Sequence, residues 1–291
     1  MSELTSGARC AVPGGRIWYD ILNPGAPGTP LVTVHGGPGT PHDYLRPLAD
    51  ALPGHPVVVY DQTGCGRSTP WPTDGRPWRL ERLVDELDVL VTTLGLRRFH
   101  LLGHSFGTMI ACDFALRGTH RPDWLVLVSP VLNVRKYEED MRQLLFRLPP
   151  RTAQAISDAL RTDRYDTAAY REAALVFAER HMCRVEWPDE LVDATLGTVT
   201  SVRDALWGPT EFRVTGGLRS YTRSEQLPGL DVPTLFLGGE HDFVPARACE
   251  AYARAVPRGQ TAVVPGASHM PHLERPELFA KEVLTRIGGP G

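Results

Sequence analysis

Lysine is almost missing from this chain. Lys136 and Lys281 are the only two among 31 basic residues, and 34 acidic residues bring the net charge to −3. A chain so balanced offers no electrostatic footprint for nucleic acid or for an anionic membrane surface. Cysteine is sparse as well. Cys10, Cys65, Cys112, Cys183 and Cys249 are odd in number, widely spaced and contain no C-x-x-C pair. Neither a disulfide framework nor a zinc site is indicated, and reduced thiols fit a cytoplasmic protein. No apolar run approaches membrane-spanning length, and MSELTSGARCAVPGG lacks the basic-then-apolar order of a signal peptide. The expected setting is cytoplasmic, with no nucleic-acid or membrane partner. Oligomeric state is not legible.

What is present is an ordinary globular composition, 42% hydrophobic and 22% charged, enough for a full core. Short apolar runs alternate with helical patterns. Strands are predicted at Arg16–Leu22, Leu31–Val34, Val57–Tyr60, Phe99–Leu102 and Trp124–Val128. Leu80, Leu83, Val84, Leu87, Leu90, Val91 and Leu94 repeat at helical spacing up to Gly95, and Phe106–Arg117 reads as a second helix ended by Gly118. Such alternation argues for β-α-β units and a mostly parallel sheet with helices on both faces.

From about Asn133 to Leu227 no convincing strand is found, but helical stretches are, among them Tyr137–Leu148, Thr152–Leu160 and Thr167–Met182. The strand–helix rhythm then returns with Thr234–Leu237, a helix from about Ala246, Thr261–Val264 and a helix from Pro276 to about Ile287. The expected organisation is an α/β core of residues 1–133 and 229–291, interrupted by a helical cap at 134–228.

Chemistry concentrates where strands end. Gly103-His-Ser-Phe-Gly107 lies between a predicted strand and a predicted helix, the context of a nucleophile elbow. The turn is so sharp that side chains two residues either side of Ser105 would clash, and glycines stand there. A serine hydroxyl needs a base, and in this arrangement an acid and a histidine follow on loops after later strands. Asp242 follows Thr234-Leu-Phe-Leu-Gly-Gly, and His269 follows Thr261-Ala-Val-Val-Pro-Gly-Ala-Ser. Glu240 and Asp231 are rival acids, and His241 and His272 rival bases. The spacings G-x-x-D and G-x-S-H favour Asp242 and His269, so the expected triad is Ser105, Asp242 and His269. Acyl transfer also needs an oxyanion hole. Phe106 N–H follows the nucleophile, and the bare backbone of His35-Gly-Gly-Pro-Gly39 offers Gly37 N–H as a second donor. Asp61 and Arg67 read as a structural loop pair. No metal or organic cofactor is expected.

HGGPG at 35–39, D-Q-T-G-C-G-R-S at 61–68, G-H-S-F-G at 103–107 and the later Asp and His together resemble the proline iminopeptidase branch of the α/β-hydrolases, over nearly the whole chain. Trp207-Gly-Pro-Thr-Glu-Phe212 followed by Thr215-Gly resembles a cap segment of these peptidases and their amidase relatives. The resemblance implies a serine hydrolase acting on a small amide or short peptide, with Glu211 reaching from the cap toward a free α-amine. Phe243 stands where some members carry a second carboxylate, and Thr63 where many carry arginine. An esterase, lactonase or acyltransferase using the same triad on a less polar substrate is the alternative. A non-catalytic binding protein would be marked by an incomplete triad.

Overall fold

The computed structural model describes residues 7–70 and 78–288. The ends of the expected core, 1–6 and 289–291, lie outside these. The strands are β1 (Ala8–Val12), β2 (Gly15–Leu22), β3 (Leu31–Val34), β4 (Val57–Tyr60), β5 (His100–His104), β6 (Trp124–Val128), β7 (Thr234–Gly239) and β8 (Gly259–Val264). They form one sheet in the order β1-β2-β4-β3-β5-β6-β7-β8. The β1–β2 and β2–β4 pairs are antiparallel, and every later pair is parallel.

The helices are α1 (Leu48–Ala51), α2 (Leu80–Thr93), α3 (Gly107–Arg117), α4 (Val134–Leu145), α5 (Pro150–Thr162), α6 (Ala168–His181), α7 (Asp189–Leu196), α8 (Thr200–Leu206), α9 (Ala246–Ala255), α10 (Pro271–Glu274) and α11 (Pro276–Ile287). Central strands are buried on both faces, as parallel strands covered by helices must be. Successive residues feed opposite cores. Val58, Leu101 and Leu127 join α2, α3 and α9 on one face, while Val57, Leu102 and Val126 join α1 and α11 on the other. Tyr137, Phe177 and Phe212, from between β6 and β7, continue the first of these cores. Two helical layers around one mostly parallel sheet give the α/β architecture expected from the sequence.

Between β6 and β7 the chain forms α4 to α8 and, among the described residues, no strand longer than the bridge Asn133–Thr222. α4 starts at Val134, three residues before the predicted start, because the Asn133 side chain accepts the Lys136 N–H at 3.0 Å and caps the helix. β1 was not foreseen. Five residues with an exposed Arg9 at a sheet edge carry little apolar periodicity.

Candidate active site

The candidate residues meet at the carboxyl ends of the parallel strands. β5 runs two residues beyond its predicted end, so that His104 finishes the strand and Ser105 makes the turn into α3 with φ +52°. A non-glycine residue is held there only where its surroundings fix it. Ser105 N–H donates to Val128 O at 2.9 Å, and Ser105 O accepts from Thr108 N–H at 2.9 Å. The flanking glycines are required. A Cβ on Gly103 would lie 2.6 Å from Gly107 O, and one on Gly107 would strike Val34 O. Close packing at this turn lifts the serine side chain into the cavity.

Asp242 follows β7, and its side chain is fully buried. Its Oδ1 faces His269 Nδ1 at 2.9 Å and also accepts Val244 N–H at 2.9 Å. Ser129, at the end of β6, donates its hydroxyl to Asp242 Oδ2 at 2.6 Å. With its carboxylate oxygens so occupied, Asp242 is fixed to present one oxygen to the imidazole and to hold the proton on Nδ1. Nε2 is then the nitrogen left without a proton. Among the described residues no hydrogen bond joins Ser105 to His269, although both line one cavity. Such contacts commonly tighten only once substrate is bound.

Gly37 lies beside Ser105 on the cavity wall at φ +112°, where an L side chain is disfavoured. Phe106 caps the N-terminus of α3. Among the described residues neither Gly37 N–H nor Phe106 N–H has a protein acceptor. Gly36 donates to Tyr44 Oη at 2.7 Å, Tyr44 Oη contacts His104 Nδ1 at 2.9 Å, and His104 Nε2 contacts His269 O at 2.8 Å. Acceptance at His269 O assigns the proton of His104 to Nε2, so Tyr44 donates to Nδ1. Burial, reinforced by His269 and His272, pushes the His104 pKa well below its ordinary value, and the ring stays neutral.

The cavity has a volume of 410 Å³. Its far wall comes from the helical segment, with Met182, Trp187, Leu191, Leu196, Arg203 and Glu211 among the lining residues. Val199 N–H donates to Gly39 O at 2.9 Å, and Thr198 Oγ1 meets Thr40 Oγ1 at 2.9 Å, so this wall is tied to the HGGPG loop. The Glu211 carboxylate has no protein hydrogen-bond or ion-pair partner among the described residues. Burial raises its pKa, and the His269 and Arg203 charges oppose that rise.

The rivals lie elsewhere. His272 is buried, with Nε2 donating to Tyr44 O at 3.1 Å, and burial lowers its pKa to about 4. Glu240 accepts Gly266 N–H at 2.9 Å, and Asp231 is an exposed partner of Arg121 and Arg258. The expected Asp61–Arg67 pair takes a different form. Asp61 binds His42 Nδ1 at 2.8 Å and Arg67 only through its backbone N–H at 2.8 Å, while the guanidinium lies over the Trp18 ring. Burial works against the Asp61 charge, but these bonds outweigh it and hold its pKa below the ordinary value. Sequence reasoning missed Ser129, Tyr44 and Glu274. Only Ser129 carried a signal, a hydroxyl at the carboxyl end of a parallel strand.

The family model described as the alpha/beta hydrolase fold matches residues 29–276. A curated proline iminopeptidase of Heyndrickxia coagulans is 32% identical over 270 residues, covering 92% of this chain and 93% of its own length. The crystal structure of proline iminopeptidase from Mycobacterium smegmatis superposes with a TM-score of 0.90 at 30% identity, covering 97% of this chain and 98% of that one. The crystal structure of VinJ gives a TM-score of 0.91 at 30% identity, covering 98% of each chain. With this fold, this elbow and these relatives, the chain belongs to the α/β-hydrolase family, on its proline iminopeptidase branch, and is a hydrolase.

Proposed function

We propose that the protein is a serine hydrolase that cleaves a small amide or short peptide with a free N-terminal amine through an acyl-enzyme. Residues 134–228 act as a cap over a core of 1–133 and 229–291. Ser105 Oγ attacks the carbonyl carbon as His269 Nε2 takes its proton. Asp242 holds Nδ1–H and stabilises the imidazolium that forms. Negative charge on the carbonyl oxygen is met by the N–H groups of Gly37 and Phe106, each worth about 3 kcal/mol in such sites. His269 then protonates the leaving amine, and water attacks the acyl-enzyme by the same route in reverse. No cofactor takes part in these steps.

The observation that carries the substrate class is the unpartnered Glu211 carboxylate on the wall facing Ser105 and His269. A partly buried carboxylate with no ion-pair partner is costly, and a substrate ammonium supplies a direct one. A second reading, an esterase, lactonase or acyltransferase, is favoured by the apolar Met182, Trp187, Leu191 and Phe243 on the same walls. The setting is cytoplasmic on this reading. Among the described residues no helix is long and apolar enough to cross a membrane. Fluorophosphonate labelling and hydrolysis of aminoacyl amides, N-blocked amides, lactones and simple esters test both readings. Preference for free-amine amides supports the first, and preference for lactones or esters replaces it with the second.

A further inference from the structure

The turn that carries His269 is fastened by a buried carboxylate outside the triad. Glu274, at the end of α10, is 4% exposed. Its Oε1 accepts Ser268 N–H at 2.9 Å, Ser268 Oγ–H at 2.9 Å and Met270 N–H at 3.1 Å, so it binds both neighbours of His269. Its Oε2 lies 3.0 Å from Ser268 Oγ and accepts the N–H of Arg184 at 3.0 Å. Arg184 belongs to the segment linking α6 to α7, which also contributes Met182 and Trp187 to the cavity. Two further bonds lace the end of α6, where that segment begins, to the site. His269 N–H donates to His181 O at 3.2 Å, and His181 Nδ1 donates to His241 O at 2.8 Å, next to Asp242.

We propose that Glu274 is a positioning residue that couples the cap to the base: it fixes the Ser268–Met270 turn and ties that turn to the cap at Arg184. The proposal rests on the reading of His269 as the base. A buried carboxylate persists only when its oxygens are satisfied, and here backbone donors from both sides of the junction satisfy them. The acceptors are shared between core and cap, so a displacement of the cap's Met182–Trp187 wall reaches the histidine. That matters because Ser105 and His269 share the cavity without a hydrogen bond between them. The productive contact has to form during binding, and Glu274 links that event to substrate filling the cap wall.

Glutamine separates the two halves of this device. Its amide oxygen replaces Oε1 toward Ser268 and Met270, but its NH₂ is a donor and faces the Arg184 N–H. E274Q therefore cuts the cap link while keeping the turn fastened, and E274A loses both. R184P removes the cap's N–H donor, together with the guanidinium that donates to Arg180 O at 3.3 Å. The experiment compares these three full-length variants with wild type and H269A, after circular dichroism and thermal melting establish folding. Readouts are kcat and KM on an aminoacyl p-nitroanilide and on p-nitrophenyl acetate, and the rate of fluorophosphonate labelling. E274Q and R184P should lower kcat on the anilide about 10- to 100-fold with KM nearly unchanged. The loss should be smaller on the acetate, which does not reach the cap. E274A should also slow labelling. A lowered melting temperature with wild-type kcat in folded E274Q and R184P overturns the coupling. Wild-type labelling by folded E274A overturns the positioning. Retained activity in H269A overturns both this proposal and the triad reading, so the two failures are told apart.

Discussion

The Phe243 ring lies against the His269 imidazole, with centroids 4.0 Å apart and planes 25° from parallel. Phe243 follows Asp242 directly, so one short loop holds the imidazole by its edge, through the carboxylate, and by its face, through the ring. Tyr137 and Phe177 pack against Phe243 from the helical segment and fix it in place. Phe243 is thereby part of an aromatic wall around the imidazole.

A positive charge forms on the imidazole during the proposed reaction, beneath the negative face of that ring. Cation–π attraction of this kind is worth about 0.5–2 kcal/mol, so Phe243→Leu should lower kcat by about 2- to 30-fold. Steady-state kinetics on the substrate that wild type prefers measures this. An unchanged kcat would reduce Phe243 to a packing residue.

Ser129 is predicted to matter through Asp242. Its hydroxyl is a 2.6 Å donor to Oδ2, and its own backbone, at φ +53°, is pinned by a 2.7 Å bond from its N–H to Leu237 O. Ser129→Ala leaves one carboxylate oxygen short of a donor, at a cost of about 1.5–3 kcal/mol for a bond to a charged group. The expected result is a loss in kcat of about tenfold or more with KM preserved, read from initial rates. Equal activity in the purified variant would show that Val244 N–H suffices.

The two downstream histidines should separate cleanly. His269→Ala is expected to abolish turnover and fluorophosphonate labelling, as Ser105→Ala does, and Asp242→Asn should lose about 10⁴-fold in kcat. His272 is bonded to Tyr44 O and neutral, so His272→Ala should lower the melting temperature while sparing most of the activity. Labelling of all four variants by one fluorophosphonate probe decides the matter, and a His272→Ala variant that folds but does not label would reverse the assignment.

Much of this was legible because it is local. Gly103 and Gly107 announce the tight turn, and apolar runs at Leu31, Val57 and Trp124 give strands whose bounds the structure repeats. Asp242 and His269 stand at the spacing that loops after β7 and β8 impose. What stayed hidden depends on contacts across long sequence separations. Tyr44 reaches His104 sixty residues away, and Glu274 reaches Arg184 ninety residues away. No periodicity encodes either contact. The Asp61 loop shows the same limit, since its side-chain partner is His42, and Arg67 meets it only through the backbone N–H.

The amine reading is tested at Glu211. Its carboxylate lines the cavity and has no ion-pair partner among the described residues, so a substrate ammonium would be its partner at one fixed distance from the scissile carbonyl. A charge-assisted contact of this kind is worth about 1.5–3 kcal/mol, or about 10- to 150-fold. Glu211→Gln should lower kcat/KM by that order for free-amine amides and leave N-blocked amides and esters nearly unchanged. Burial raises the Glu211 pKa above 4.5, so the ionised form is lost as pH falls through a window above that value. The ratio of kcat/KM for free-amine to N-blocked substrates should fall there, and any ionisation that affects both substrates alike cancels in that ratio. Stability moves the opposite way. A raised folded-state pKa means that the folded protein holds the proton more tightly than the unfolded chain, so wild type gains stability as pH drops through this window. Glu211→Gln has no such proton to bind, and its melting temperature should exceed that of wild type at pH 7, with the gap closing in acid. If the specificity ratio is flat with pH and Glu211→Gln leaves it unchanged, the carboxylate does not read the amine, and the esterase or lactonase reading stands.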